Sequence, residues 1–416
     1  MHKIDVQKIS GNALTVLETL NEAGFEAYLV GGGVRDLLLG QSPKDFDIST
    51  NASPDEIKDL FRNCRLVGRR FRLAHILFGR EVIEVATFRA HHEQGEGGET
   101  EEESGRILRD NVFGSVEDDA IRRDFTINAL YYNAIDASVI DYCGAMQDMQ
   151  SKTLRMIGES QVRCAEDPVR ALRAARFSAK LGFEVDESTR QAIADKGELL
   201  REIPPARLFE EVLKLFHSGH ALESLKRLRE FDLLQYLFPA ADRALKDGNE
   251  YFEKFVARAL SNTDERILSG KPVTPAFLYA VMLWPKTREL AKQYVAEEPP
   301  VPAVLSAADE AMAEQLRYTS LPKRFSIPTR EIWAMQPRLE CYIGKRAMRL
   351  LSGPRFRAGY DFLCLRAEVN TELKERADWW TDIQQSSPVE TVRPEKRRTR
   401  TRKSRWSGNK QENSGA

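Results

Sequence analysis

The chain has 416 residues, 30% of them charged and 42% hydrophobic, with a formal net charge of −1. That is too long for one ordinary domain and has the balance of a soluble globular protein of two to four compact units. No apolar run of about 18 residues occurs and the N-terminus MHKIDVQKIS lacks an apolar core, which argues against a membrane span and a secretory signal. The five cysteines (Cys64, Cys143, Cys164, Cys341 and Cys364) form no CxxC pair, which points to reduced thiols in the cytoplasm and away from a zinc site. The near-zero net charge hides an asymmetry: residues 393–416 hold nine Lys/Arg and two Asp/Glu, a basic tail on an acidic remainder.

In chain order, Ile9, Ala13, Leu17 and Leu20 recur at helical spacing and predict a helix over about 9–23, ended by Gly24. EAYLV (26–30) reads as a short buried strand. GGGVRDLLLG (31–40) is a glycine turn leading into a helix of one to two turns, and FDIST (46–50) is a second strand. Ser53, Pro54 and Glu56 supply an N-cap, a first helical residue and a capping-box partner. HILFGREVIEVATF (75–88) predicts a hairpin around Gly79-Arg80. The acidic, glycine-rich stretch 91–105 reads as a flexible loop, with His91 and His92 as loop residues rather than metal ligands. RRDFTINALYYN (122–133) reads as helix, and VIDYCGAMQDM (139–149) as a last strand and turn. From about 150 the apolar spacing becomes helical and stays so, EEPPVP (297–302) reads as a linker, and 386–406 has too few apolar residues to fold. The fold class is α+β: a head with a mixed sheet, an all-helical neck and body, and a disordered basic tail. The expected limits are 1–24 for an N-terminal helix, 25–150 for the head, 151–216 for the neck, 217–385 for the body and 386–416 for the tail.

Asp45 and Asp47 carry the first chemical signal. On a strand, residues i and i+2 share a face about 6.6 Å apart, where two carboxylates repel unless a cation lies between them. Oxygen-only ligands select a hard ion such as Mg²⁺, or Mn²⁺, which takes phosphate oxygens as further ligands. A bare Asp-x-Asp is more often two solvated aspartates, so the neighbours decide. Gly31–Gly33 follow a strand and precede a helix carrying Arg35, a turn that lets backbone approach a phosphate. Asp36 replaces the third glycine of a dinucleotide fingerprint, and no Walker sequence occurs. In EDPVRALR, the spacing sets Asp167, Arg170 and Arg173 on one helix face, with Arg176 continuing the stripe towards phosphate. An aspartate and an arginine side by side can hydrogen-bond a nucleobase edge; without context they are an ordinary ion pair. Glu84 alternates with Ile83 and Val85 and is equally a third carboxylate or a solvent-facing residue.

VRDLLLGQSPKDFDI resembles the head of the polymerase-β-like nucleotidyltransferases, in the class II group of tRNA CCA-adding enzymes and bacterial poly(A) polymerases. RRDFTIN (122–128), DYCGAMQDMQSKTLR (141–155), EDPVRALRAARFSAKLGF (166–183) and IPPARLFEEVLKLF (203–216) follow in that group's order, although Cys143 and Ala145 stand where Pro and Gly are more usual. LVGRRFRLAHILFGREVIEVATFR (66–89), with RNCR before it, resembles the bacterial poly(A) polymerases specifically. Its Arg69, Arg70 and Arg72 suit phosphates. The resemblance implies Asp45 and Asp47 as metal ligands and catalytic residues, and Asp124 as a third catalytic residue near ribose and metals. It implies Gly32, Arg35 and Arg123 on the triphosphate, and Asp167, Arg170 and Arg173 on the base. It further implies ATP as substrate, RNA 3′ ends and the RNA-decay machinery as partners, and template-independent addition of AMP with release of pyrophosphate. The basic tail fits a sequence-independent RNA arm. A CCA-adding enzyme and a non-catalytic RNA-binding protein remain the alternatives, because an Asp/Arg pair can also serve cytosine.

Overall fold

The computed structural model describes residues 4–68, 72–90, 100–103, 106–110, 113–340 and 349–386. His91, His92, Arg69, Arg70, Cys341 and the basic tail lie outside them. The first helix, α1, is Gly11–Glu22, opened by the Ser10 hydroxyl accepting from Asn12 N–H. Strand β1 (Ala27–Val30) runs into the glycine turn and helix α2 (Gly32–Leu38). Strand β2 (Asp47–Thr50) and helix α3 (Pro54–Leu60) follow, the latter with the Ser53/Glu56 capping box closed in both directions. Strand β3 (Cys64–Val67) precedes the predicted hairpin, β4 (Leu73–Phe78) and β5 (Glu81–Thr87). Arg72 meets Asp55 at 3.6 Å on the surface. Within the acidic stretch read as loop, Thr100–Glu103 is a strand, β6, paired antiparallel with β7 (Arg106–Asp110). The hairpin pairs the polar TEEE with RILRD, two strands with no apolar alternation in common, which a pattern read for buried faces does not reveal.

The segment 122–133 is not a helix. Helix α4 (Val116–Ile121) ends before it, Phe125 is extended, Thr126–Asn128 make a single 3₁₀ turn, and Leu130–Asn133 form strand β8. Two causes are visible. The Asp124, Thr126 and Asn128 side chains take local and tertiary hydrogen bonds that compete with a helix. Leu130, Tyr131 and Tyr132 are bulky residues that fit a sheet buried on both faces, and all three are buried. Strand β9 (Ser138–Asp141) completes a seven-stranded sheet of order β3-β4-β5-β2-β1-β8-β9, in which β2 and β5 are parallel and the other pairs antiparallel.

Helix α5 (Ala145–Ser151) leads out of the sheet. The neck is helical except for a two-residue parallel pair, β10 (Thr153–Leu154) and β11 (Glu184–Val185), which corrects the all-helical expectation. Helices α6 (Ser160–Glu166), α7 (Val169–Leu181), α8 (Glu187–Lys196) and α9 (Pro205–Phe216) make up the rest of it, with α7 packed against the pair, α6 against α8 and α9 against α7. In α7 the buried side, including Leu172, Ala174 and Ala175, packs into the helical core, Arg170, Arg173 and Arg176 lie away from it, and Gly182 closes the helix at φ 67. Beyond α9 every described regular element is helical. The 297–302 stretch is not a linker: helix Pro300–Gln315 starts inside it, with proline in its first turn, and packs on Trp284–Tyr294. One core fills the sheet side from Ile4 to Ala145, and a larger one runs from Phe125 through the helices to Leu365. No described helix is long and apolar enough to cross a membrane.

Candidate active site

Strand register builds the site. Val30, the last residue of β1, stands opposite Asp47 on one side and Tyr131 on the other. The glycine turn after Val30 therefore lies beside Asp47 and above β8. Gly31 adopts φ +70, and a Cβ there would meet Arg123 Nη1 at 3.3 Å; one at Gly32 would meet Arg35 Nη2 at 3.3 Å. Position 31 needs glycine for its left-handed φ, and two guanidiniums close over the turn.

The predicted residues Gly32, Arg35, Asp47, Arg123, Asp124, Asp167, Arg170 and Arg173 line a single cleft of about 420 Å³ between sheet and α7. Asp45 is exposed just outside this lining, in the turn before β2 rather than on the strand. Asp47 pairs in register with Glu84 on β5. Asp47 keeps solvent exposure, yet protein surrounds its carboxyl closely enough to push it up to about 6: burial acts first, then Glu84 and Asp45, against the pull of Arg123. Glu84 also meets His75 at 3.4 Å. The third carboxylate that the sequence left undecided thus stands next to Asp47, and it faces solvent as well. Among the described residues no three His, Cys, Asp or Glu side chains converge as a ready-made ligand set. Crowded carboxylates opening onto a cleft fit a hard cation that shares its shell with water and substrate phosphates.

Arg123 donates through Nε to Tyr131 Oη at 2.9 Å, and through Nη2 to Asp119 at 2.9 Å and Ser49 Oγ at 3.2 Å. Burial opposes its charge, but Asp119 and Tyr131 outweigh burial and hold it more firmly protonated than a free arginine. Arg35 is 2% exposed and is bracketed by Asp36 and Asn128. Asp124, expected near ribose and metals, has both carboxylate oxygens engaged by protein donors. One oxygen accepts from Phe125 N–H and Asn128 Nδ2, and the other from Arg173 Nε at 2.7 Å. Burial alone would raise its carboxyl, but Arg173 and these hydrogen bonds bring it below the usual range. Asp124 therefore ties the sheet to α7.

Asp167 is not on the helix face predicted for it. Its backbone is extended between α6 and α7, and its carboxylate accepts from Arg207 Nη2 at 2.9 and 2.8 Å. Arg170 is held instead by Glu166 at 3.0 Å and by the Arg163 carbonyl at 2.6 Å. Pro168 breaks the helical run, which is why spacing alone misplaced the aspartate. Both side chains still reach the cleft.

Residues 27–155 match the family described as "Poly A polymerase head domain", 182–245 that described as "Probable RNA and SrmB- binding site of polymerase A", and 296–413 that described as "Polymerase A arginine-rich C-terminus". The Poly(A) polymerase I of Salmonella typhimurium is 50% identical, over 97% of this chain and 90% of its own. The chain belongs to the poly(A) polymerase family. A CCA-adding enzyme of Lactobacillus helveticus is 38% identical, over 51% of this chain and 52% of its own. A solved tRNA nucleotidyltransferase, complexed with a primer tRNA and an incoming ATP analogue, is 25% identical with a TM-score of 0.56, covering 89% of this chain and 98% of that one.

For this poly(A) polymerase family member, sequence reasoning missed Asn128 and Phe177 in the cleft lining, and Asp119 and Tyr131 behind Arg123. Asn128 lies at the end of the RRDFTIN segment. Phe177 was readable as the apolar neighbour of the arginine stripe. Asp119 gave no signal, because its partner comes from the following turn.

Proposed function

We infer that the cleft transfers adenylate from ATP to the 3′ end of RNA without a template and releases pyrophosphate. The chain is a polynucleotide adenylyltransferase. The observation that carries this reading is the single cleft in which Asp47, the glycine turn, Arg123 and the α7 arginines meet, in a chain 50% identical to a poly(A) polymerase over nearly its whole length. The head at 25–150 supplies the sheet side, the neck at 151–216 the α7 side, and the body at 217–385 with the basic tail holds the RNA strand.

In the proposed division of labour, Asp45 and Asp47 hold Mg²⁺ or Mn²⁺, with Glu84 beside them. Bound there, divalent ions lower the pKa of the RNA 3′-hydroxyl and neutralise the departing pyrophosphate. The 3′-oxygen bonds to the α-phosphorus as the bond to the β-phosphate oxygen breaks. Arg123 faces the triphosphate at the Gly31–Gly32 turn, and Arg35 shapes that turn from beneath. Asp124 positions Arg173, and Asp167 and Arg170 read adenine from fixed orientations set by Arg207 and Glu166. RNA 3′ ends, ATP and the RNA-decay machinery are the proposed partners, in the cytoplasm.

Incubation with each labelled NTP and an RNA lacking tRNA structure tests this. Repeated incorporation from ATP, with little from CTP, is the expected result. Because Arg170 is a charged reader, Arg170→Ala should lower kcat/KM for ATP by about 10- to 150-fold, the worth of a hydrogen bond to a charged group, and narrow the ATP-to-CTP ratio. CTP incorporation ending after a few nucleotides would instead establish the CCA-adding alternative.

A further inference from the structure

A second cavity, of about 510 Å³, lies in the helical body away from the catalytic cleft. It opens between the helices Glu250–Leu268, Pro275–Met282 and Phe356–Val369, beside the C-terminal end of α9. Helix α9 connects the two places. Arg207 in its first turn bonds Asp167 of the cleft, whereas His217, the residue that closes the helix, lines the cavity. From 207 to 217 the rise of an α-helix covers about 15 Å.

The cavity differs in chemistry from the cleft. Phe277, Leu278 and Leu365 give it an apolar wall, with the Phe277 ring braced against Phe362 at 6.0 Å. Its charges cancel, Arg266, Arg355 and Arg357 standing against Glu265, Asp361 and Glu368. Most of them are already engaged within the protein. Arg357 meets Asp361 at 3.0 Å, Arg355 meets Glu331 at 2.7 Å, Glu368 meets Arg258 at 2.7 Å, and Arg266 donates to the Pro272 carbonyl at 3.0 Å. Two polar side chains are left over: among the described residues, neither His217 nor Asn262 has a side-chain hydrogen bond. Burial pushes the His217 imidazole down to about 4, so at neutral pH the ring is uncharged, with one nitrogen a donor and the other an acceptor. The Asn262 carboxamide offers both as well.

A bare anion finds no spare cation in this arrangement, and an aliphatic chain would leave both polar groups unmet. A flat heteroaromatic ring with donors and acceptors along its edge meets both and covers the apolar wall. The volume falls within the range of about 300–1,000 Å³ usual for such ligands. We propose that the body cavity is a nucleobase site, in which His217 and Asn262 bond the edge of the base and the Phe277 wall takes its face. The inference rests on the adenylyl-transfer reading, which brings RNA to the body. A base of the RNA strand and a free adenine nucleoside share this chemistry. A strand whose 3′ end lies in the cleft covers 15 Å within about five nucleotides, at ~3.4 Å for each stacked one.

Equilibrium binding to the full chain and to its His217→Leu and Asn262→Leu variants tests this without turnover. One arm titrates single-stranded oligoadenylates in which a single abasic position is moved stepwise away from the 3′ end. The other titrates adenosine while a non-hydrolysable ATP analogue fills the cleft. If the cavity takes an RNA base, the intact oligoadenylate binds each variant about fivefold more weakly, the contribution of one neutral hydrogen bond. One abasic position upstream of the 3′ end then weakens the wild type and weakens the variants less. If the cavity takes a free nucleoside, adenosine binds the wild type beside the analogue and each variant about fivefold more weakly, while the oligoadenylate is unaffected. Both variants should melt at or above the wild-type temperature, because neither side chain bonds to the protein. Unchanged binding in both arms overturns the proposal, as does a loss that tracks a lowered melting temperature and is the same for every abasic position. A wild-type chain that binds as described yet fails to extend RNA with ATP would sink the adenylyl reading alone. A chain that extends RNA while both variants bind like the wild type would sink this inference alone.

Discussion

Asp47→Asn is expected to lower kcat for AMP addition about 1000-fold, roughly 4 kcal/mol of transition-state stabilisation, while leaving the fold intact. The carboxyl stands at about 6 instead of its ordinary 3.8, so between these values the folded metal-free protein holds more protons than the unfolded chain. Stability then falls as pH rises through that window, and stays at the lower level above it. Asparagine carries no such charge. The variant in EDTA at pH 7.5 should therefore melt at or above the wild-type temperature, although its activity is gone. Mg²⁺ added together with a non-hydrolysable ATP analogue should raise the melting temperature of the wild type more than that of the variant. Differential scanning fluorimetry with and without EDTA reads all three effects. A variant that kept wild-type turnover would remove Asp47 from the chemistry and favour the non-catalytic RNA-binding alternative.

Arg123→Met should be the most destabilising single change in the cleft. Asp119 is 8% exposed and has two partners, Arg123 and the Tyr131 hydroxyl, the latter at 2.7 Å. Without the guanidinium a buried carboxylate keeps one neutral donor, an arrangement that costs about 3–5 kcal/mol. Asp119→Asn in the same chain removes the orphaned charge and should recover a substantial part of the loss. It should leave ATP binding as weak as in the single variant, because the triphosphate contact is still missing. Urea unfolding of the two variants measures the coupling. Recovery of nothing by Asp119→Asn would mean that Arg123 stabilises the sheet through Ser49 and Tyr131 rather than through the ion pair.

The parts of this molecule that the sequence made legible are those fixed by neighbours in the chain. The Ser53/Glu56 capping box, the β4–β5 hairpin and the glycine turn each depend on a few adjacent residues, and each formed as expected. Motif order singled out residues that, Asp45 aside, line one cleft, but it did not show their partners. Glu84 became informative only once β5 was seen to lie parallel to β2, a pairing set by the whole sheet. Asp167 is oriented by Arg207, forty residues away, and Asp124 by Arg173 from another element. Spacing along one helix cannot show such cross-element bonds. The misread segment 122–133 shows the same limit, since its strand exists because β1 and β9 flank it on either side.

Manganese binding, followed by the electron paramagnetic resonance of free Mn²⁺ in the presence of a non-hydrolysable ATP analogue, tests the central claim most directly. Wild-type protein should remove the ion from solution only when the analogue is present at appreciable concentration, and the Asp45→Asn/Asp47→Asn double variant should leave the free-ion signal at the level set by the analogue alone. Equal uptake by the two proteins would mean that these carboxylates hold no metal, and the metal-dependent account of this cleft would be wrong.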